Sequence, residues 1–100
     1  MSILDQYSEA ITKLCAMHRV KSLYAFGSVL NGTFNSESDI DLLVDFDLMP
    51  VIEYADNYYG LKFSLQDILK RPIDLIEEKA IRNPYFKLAV SQNRHLVYGH

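Results

Sequence analysis

Two aspartates one residue apart, Asp39 and Asp41, open an apolar stretch of the chain. In a β-strand, residues i and i+2 point to the same face, so these carboxylates project side by side with Cα atoms roughly 6.5–7 Å apart. Such a pair can share a hard cation such as Mg²⁺, which prefers oxygen ligands and keeps waters or substrate phosphates in its shell. The pattern therefore favours a metal site, although Asp-x-Asp alone also fits a polar loop that leads into a strand.

About a dozen residues before Asp39, a Gly-Ser pair, Gly27 and Ser28, directly follows an apolar strand. Glycine lets the chain turn tightly and lets the backbone approach a ligand closely. Ser28 adds a hydroxyl and an N–H at the predicted start of a short helix, where phosphate is favoured. Many strand-to-helix turns use glycine, so the pair is weak evidence alone. Metal-binding acids beside a phosphate-holding turn together predict a nucleotide site.

Asp74 is the candidate for a third acid, because it stands in mid-strand between Ile73 and Leu75. A charged residue is unexpected there unless it is paired or functional. Strand alternation puts it off the core face. If its strand lies beside that of Asp39 and Asp41, the three carboxylates converge and can hold two Mg²⁺ ions about 3.5–4 Å apart. The alternative is a purely structural aspartate at an exposed edge.

Hydrophobic periodicity and turn residues predict an α/β (α+β) fold, a small mixed sheet of three to four strands packed with helices. The predicted strands span 20–26, 39–46, 73–76 and 95–98. The predicted helices are one capped by Ser2 that runs to about residue 18, one or two turns over 27–32, and longer helices over 50–69 and 84–92. Pro50 suits the first helical position, and Gly60 costs about 1 kcal/mol relative to alanine, which allows a break there.

The second strand is predicted to bury its even positions against the core: Ile40, Leu42, Val44 and Phe46. Leu43 adds apolar character to the opposite face, which predicts that this face too is partly covered. Asp45 shares the face of Asp41 but lies about 13 Å beyond it, so we expect it to be solvated or to cap a turn. Glu77 and Glu78 are expected to be exposed. Core packing or a protein interface explains three tyrosines of the long helix better than base stacking does: Tyr54, Tyr58 and Tyr59.

The bulk composition predicts one small soluble domain over residues 1–100. Of the 100 residues, 49% are apolar and 23% charged, and no apolar run approaches the roughly 20 residues that cross a bilayer. A single cysteine, Cys15, excludes an intramolecular disulfide and fits a cytoplasmic location. The net charge of −3 argues against direct, non-specific nucleic-acid binding, which needs a basic surface.

In combination, these motifs resemble the nucleotidyltransferase superfamily related to DNA polymerase β. More narrowly, they resemble the minimal nucleotidyltransferases (MNT), antitoxin-like partners of HEPN-domain proteins. The resemblance runs from Tyr24 to the end of the chain and rests on four segments: 27–28, 38–44, 71–75 and 81–85. It implies a polymerase β-like fold in which Asp39, Asp41 and Asp74 are catalytic metal ligands for Mg²⁺. It also implies that Gly27 and Ser28 bind the nucleotide.

The same resemblance implies transfer of AMP from ATP, or of another nucleotide, to a hydroxyl of a cognate HEPN toxin, typically a tyrosine. We expect no separate acceptor-binding domain in a chain of this size, so either the acceptor is a protein that presents itself or oligomerisation assembles the site. One alternative is a non-catalytic module that neutralises a HEPN protein by occlusion. Another is a two-metal phosphohydrolase, which would release nucleotide without any acceptor.

The chain departs from the family pattern at Asn31, which precedes Gly32 where family members often carry arginine. An amide binds phosphate without the charge assistance of a guanidinium. Asparagine in place of arginine at position 31 is therefore expected to lower the nucleotide affinity and the rate of transfer while leaving the metal centre intact.

Overall fold

In the residues that the computed structural model describes, 3–27 and 39–99, four strands form one mixed sheet. The strands are β1 (Val20–Phe26), β2 (Ile40–Phe46), β3 (Ile73–Glu77) and β4 (His95–Gly99). Their order is β3-β2-β1-β4, with β1 antiparallel to both β2 and β4, and β2 parallel to β3. The predicted small mixed sheet is confirmed.

Four α-helices accompany the sheet in the described part of the chain. They are α1 (Ile3–Gln6), α2 (Ser8–Met17), α3 (Val51–Leu69) and α4 (Pro84–Gln92), with a 3₁₀ turn at Glu78–Ala80. Parallel strands need a long crossover connection, and α3 provides it between β2 and β3. None of the helices described combines the length and apolar character that crossing a bilayer requires.

One face of the sheet carries the main hydrophobic core, where side chains of α1, α2 and α3 pack against the strands. The predicted core positions of β2 are all buried: Ile40, Leu42, Val44 and Phe46. From α3, leucines at four-residue intervals enter the same core: Leu61, Leu65 and Leu69. Burial of a leucine side chain contributes about 1.5–3 kcal/mol relative to exposure, so this helix is fastened mainly by these contacts.

The opposite face is also covered in part, as Leu43 predicted, since its side chain is only 1% exposed. α4 lies over this face, where the ring of Phe86 meets that of Phe26 edge to face at 6.2 Å. The Asn83 side chain caps α4 by accepting the amides of Tyr85 and Phe86, at 2.8 and 3.2 Å. The predicted cap-then-proline start of this helix is confirmed.

Helix boundaries differ from the prediction in two places. The first predicted helix is two helices, because Tyr7 leaves helical geometry with φ −110° and ψ 18°. Pro50 precedes α3 instead of occupying its first position, since its ψ of 144° is extended and only its carbonyl joins the helix, accepting from the Glu53 amide. The predicted Ser2 cap and the segment of predicted helical turns after Gly27 lie outside the described residues.

Gly60 does not break α3, which runs without interruption from Val51 to Leu69. Instead, the missing side chain leaves room for His18, whose Nε2 would lie 2.8 Å from a Cβ at position 60. The His18 Nδ1 is 2.8 Å from the Leu14 carbonyl oxygen, a hydrogen bond in which Nδ1 donates. Gly60 therefore marks a close helix–helix approach.

Candidate active site

Asp41 and Asp74 lie side by side on neighbouring strands. The parallel register of β2 and β3 pairs their Cα positions directly, and paired residues on adjacent strands point to the same face. Adjacent strands are about 4.8 Å apart, so the two carboxylates share one small region on the face opposite the main core. The strand of Asp74 therefore lies beside the strand of Asp41, as the predicted convergence of the acids requires.

Asp39 immediately precedes β2 and is exposed. Asp39 is close enough to Asp41 for its charge to affect the pKa of the Asp41 carboxyl. Burial first, and then the charges of Asp74 and Asp39, raise the pKa of the Asp41 carboxyl above its ordinary value. The three predicted acids are therefore brought into one electrostatic cluster, with half-buried Asp41 between the other two.

Gly27 follows the last residue of β1 and lies directly beside this cluster. Its neighbour Phe26 pairs with Asp41 in the register of β1 and β2. Gly27 has a φ of +76°, and a Cβ added there would collide with Oδ2 of Asp41. The positive φ favours glycine at this position, and a side chain there would have to displace the Asp41 carboxylate. The predicted turn at Gly27 therefore adjoins the predicted acids, while Ser28 lies outside the described residues.

The three acids suit Mg²⁺ by their chemistry, because all offer carboxylate oxygens, the ligands that hard cations prefer. A cation would also offset the like charges that raise the pKa of Asp41. Across residues 3–27 and 39–99, no three His, Cys, Asp or Glu side chains are already drawn together as metal ligands would be. Like charges repel, so carboxylates without a cation between them favour separation. By the chemistry of their side chains, the three acids fit a divalent cation.

Side chains of α3 fasten the outer edge of β3, the strand that carries Asp74. The Tyr58 hydroxyl donates to the Leu75 carbonyl, and Gln66 Oε1 accepts from the Ile73 amide at 3.3 Å. These bonds satisfy backbone groups on both sides of Asp74 that an edge strand would otherwise leave unpaired. Burial, followed by the charges of Tyr59 and Asp74, raises the pKa of Tyr58.

Tyr54 completes this edge by donating to Glu77 Oε2 at 3.1 Å. Burial and the neighbouring Glu77 charge raise the pKa of Tyr54 to about 12. Of the two predicted roles, core packing or a protein interface, Tyr54 and Tyr58 have the first, since both pack against the main core, while Tyr59 remains 52% exposed. The sequence signal for the edge contacts was the four-residue spacing of Tyr54 and Tyr58, which places them on one helix face.

Three further acids behave differently from the prediction. Asp45, expected to be solvated, has a side chain only 14% exposed, with Lys79 Nζ 3.3 Å from its Oδ1. Glu77 is half-buried against Tyr54. Glu78 pairs with Arg94 at 2.9 Å. In each case a residue distant in the chain covers or pairs the charge, which periodicity within one strand does not reveal.

A family model described as a nucleotidyltransferase domain matches residues 7–97. A Methanocaldococcus jannaschii protein with the provisional name protein adenylyltransferase is 35% identical over 98% of this chain and 99% of its own length.

Solved structures give the same result for the fold. One, provisionally assigned as a minimal nucleotidyltransferase, superposes with a TM-score of 0.77 at 29% identity and covers 95% of both chains. Another is a tri-AMPylated Shewanella oneidensis HEPN toxin in complex with an MNT antitoxin, with a TM-score of 0.65 at 21% identity. That match covers 97% of this chain and 73% of the other, and at this identity it shows the fold alone.

Proposed function

The chain belongs to the nucleotidyltransferase domain family, and from that premise we propose that it transfers AMP from ATP to a protein hydroxyl. The acceptor is a tyrosine of a HEPN-type toxin, which the modification silences, so the protein acts as the antitoxin. The observation that carries the proposal is the pairing of Asp41 with Asp74 beside Gly27. The provisional adenylyltransferase name of the archaeal relative and the AMPylated toxin complex support the choice of nucleotide and acceptor.

Each residue of the site has a distinct role in this reaction. Asp39, Asp41 and Asp74 hold Mg²⁺, for which two ions are expected, and Gly27 and Ser28 hold the phosphates. Bound Mg²⁺ would neutralise charge on the triphosphate and favour ionisation of the attacking hydroxyl. Asp74, exposed at the open side of the cluster, accepts the proton of that hydroxyl. The hydroxyl oxygen forms a bond to the α-phosphorus, and the bond to the departing pyrophosphate breaks.

The half-buried position of Asp41 supports a binding role rather than proton transfer. Its pKa is raised by burial and by two neighbouring carboxylates, so its charge is stabilised best by a cation. Asp39 and Asp74 flank it and are exposed, so they can complete the ligand shell from two sides. We place the reaction within a single domain spanning residues 1–100 and in the cytoplasm, where ATP is available and the lone Cys15 stays reduced.

The test is transfer of label from α-phosphate-labelled ATP to a purified HEPN-type toxin in the presence of Mg²⁺. We expect labelling by the wild type and a loss of about 100-fold or more in Asp41→Asn and Asp74→Asn, because each removes a charge from the site. Asp67→Asn is the matched control, since it makes the same change at an exposed position of α3. EDTA should abolish labelling.

The alternative functions give different results in the same assay. An unlabelled partner that wild type and both variants inhibit equally would identify a non-catalytic antitoxin that acts by occlusion. Release of free nucleotide without labelling of the partner would identify a phosphohydrolase. Either result contradicts the proposed transfer.

A further inference from the structure

A largely apolar pocket of about 460 Å³, here called the β3 pocket, opens between β3, the 3₁₀ turn and the start of α4. Its lining residues are Ile76, Ala80, Ile81, Arg82, Asn83 and Phe86. Ile76 stands two residues after Asp74 on β3, so both side chains point to the same face, with Cα atoms roughly 6.5–7 Å apart. The β3 pocket therefore adjoins the third acid of the candidate active site.

The order of the strands determines from which side each substrate approaches. β3, β2 and β1 are neighbours in that order, so Asp74, Asp41 and the turn at Gly27 follow one another across the sheet. In phosphoryl transfer, the attacking and leaving oxygens lie roughly in line, on opposite sides of the phosphorus. With the departing pyrophosphate at Gly27, the attacking hydroxyl has to come from the side of β3. The β3 pocket lies on that side.

The walls of the β3 pocket suit a flat apolar group. Phe86 is 38% exposed, and Ile76 and Ile81 are half-buried, so each presents apolar surface to the pocket. Pockets of this size with apolar walls and a few polar groups bind small molecules or single side chains. A serine hydroxyl lies one carbon from the backbone and would leave the pocket empty. A tyrosine carries its hydroxyl at the far end of an apolar ring and would fill it.

Two walls of the β3 pocket are fixed by contacts within the protein. On the 3₁₀ turn, Glu78 accepts a hydrogen bond from Arg94 Nη1 at 2.9 Å. At the start of α4, the Asn83 side chain accepts the Phe86 amide at 3.2 Å, and the Phe86 ring rests against that of Phe26. Because these walls are already ordered, little conformational entropy is lost when a ligand enters.

Arg82 is the charged residue among those that line the β3 pocket. It is exposed, and no carboxylate pairs with it in the part of the chain that the structure describes. A guanidinium stacks on the face of an aromatic ring and is attracted to its π-electrons. Arg82 can therefore cover an aromatic ring that enters the pocket.

We propose that the β3 pocket receives the ring of the acceptor tyrosine and holds its hydroxyl at Asp74. The inference rests on the proposed function and adds the part of the site that selects the acceptor. The hydroxyl oxygen forms its bond to the α-phosphorus, its proton passes to Asp74, and pyrophosphate leaves on the side of Gly27. The base of the nucleotide is the competing occupant, and the experiments separate the two.

The first experiment fills the β3 pocket with Ala80→Phe in the full chain. Ala80 is exposed and lines the pocket, so the new ring occupies it without entering the core. We expect the KM for a purified HEPN-type toxin to rise by about tenfold or more, while the Kd for ATP with Mg²⁺, measured by calorimetry, stays unchanged. Ala55→Phe, the same substitution at an exposed position of α3, should retain both wild-type values.

The second experiment probes recognition of the ring without a protein surface or a hydroxyl. N-acetyl-phenylalaninamide should inhibit AMP transfer in competition with the toxin and not in competition with ATP. N-acetyl-leucinamide, which has no ring, should inhibit more weakly. In Ile81→Ala, which removes part of one wall, inhibition by the phenylalanine amide should be about threefold weaker.

Three outcomes would overturn the inference in distinguishable ways. An unchanged KM for the toxin in Ala80→Phe, or equal inhibition by the two amides, would show that the acceptor ring lies elsewhere although AMP transfer proceeds. A higher Kd for ATP in Ala80→Phe would assign the pocket to the nucleotide. If the wild type binds ATP but transfers no AMP to the toxin, the proposed function fails, and the inference fails with it.

Discussion

At the scale of single residues, Asp41 is held under electrostatic stress. It is half-buried beside two other carboxylates, and its Oδ2 occupies space that a Cβ at position 27 would take. Desolvation and like charges both disfavour its ionised form. Such a group reduces the stability of the protein until a cation binds, which is typical of sites where charges are gathered for function.

We therefore expect Asp41→Asn to be more stable than the wild type at neutral pH in EDTA. The folded-state pKa of Asp41 is raised, so the folded protein holds this proton to higher pH than the unfolded chain does. Stability consequently falls as pH rises through the interval from the ordinary value of 3.8 to the raised pKa. Thermal unfolding should give a higher Tm for the variant at pH 7, and this difference should shrink below pH 3.8.

Saturating Mg²⁺ should make the Tm of the wild type higher than that of Asp41→Asn at pH 7, because the cation stabilises the wild type selectively. Asp67→Asn again provides the control, because its carboxylate is exposed on α3. A wild type as stable as Asp41→Asn in EDTA at neutral pH would contradict the stress assigned to this carboxyl.

Gly27→Ala tests the contact between the turn and the acids. The added methyl group would collide with the Asp41 carboxylate. The alanine would also have to adopt the backbone φ of +76°, which costs about 1–2 kcal/mol of strain. A displaced carboxylate should lower AMP transfer by about 100-fold. Labelling assays at matched folded fractions, judged by circular dichroism, would measure this. Retention of full transfer would show that position 27 does not set the geometry of the site.

At the scale of elements, the position of Asp74 depends on how α3 holds β3. The hydroxyl of Tyr58 and the side chain of Gln66 bond to backbone groups of Leu75 and Ile73, on either side of Asp74. β3 is an edge strand, so only one of its sides is fixed by pairing with β2. The helix thereby takes the place of a further strand and limits movement of the acid.

Tyr58→Phe is expected to loosen this edge. Loss of one buried hydrogen bond costs about 1 kcal/mol and lowers the Tm by about 4–8 °C for a domain of this size. Hydrogen exchange should become faster in β3, and the apparent affinity for Mg²⁺ should fall. Tyr59→Phe removes the same hydroxyl from a half-exposed neighbour on α3 and is the control. Equal effects of the two changes would argue against a specific role of the Tyr58 bond.

Local sequence patterns predicted much of the sheet and the orientation of its acidic residues. Alternation in β2 predicted the buried positions Ile40 and Leu42 and the opposite orientation of Asp41. The break at Tyr7 and the close approach of His18 to Gly60 depend on packing between helices, which a pattern within one helix does not encode. The β3 pocket was missed for the same reason, because its walls come from a strand, a 3₁₀ turn and a helix.

At the scale of the whole molecule, the helices are distributed unequally over the two faces of the sheet. α1, α2 and α3 pack on one face, whereas α4 covers only part of the other. Among the described residues, this leaves the starts of β2 and β3, with their aspartates, uncovered by a helix next to Gly27, where we propose that the nucleotide and the acceptor meet. The motifs predicted the family, but the acceptor and the oligomeric state depend on surfaces of a second protein.

The net charge of −3 also bears on the kind of partner. A nucleotide reaches an acidic site with its charge offset by Mg²⁺, whereas a nucleic-acid backbone requires many basic side chains. A folded protein acceptor needs neither a bound Mg²⁺ to offset its charge nor many basic side chains on its partner. The charge balance therefore agrees with a small nucleotide and a protein acceptor as the two substrates.

The most direct test is a crystal structure of the protein with Mg²⁺ and a non-hydrolysable ATP analogue, in which metal–oxygen distances are measured. We predict carboxylate oxygens of Asp39, Asp41 and Asp74 at about 2.0–2.1 Å from bound Mg²⁺, with the triphosphate against Gly27. A cation held without Asp74, or a triphosphate bound away from the turn at Gly27, would contradict the three-acid centre.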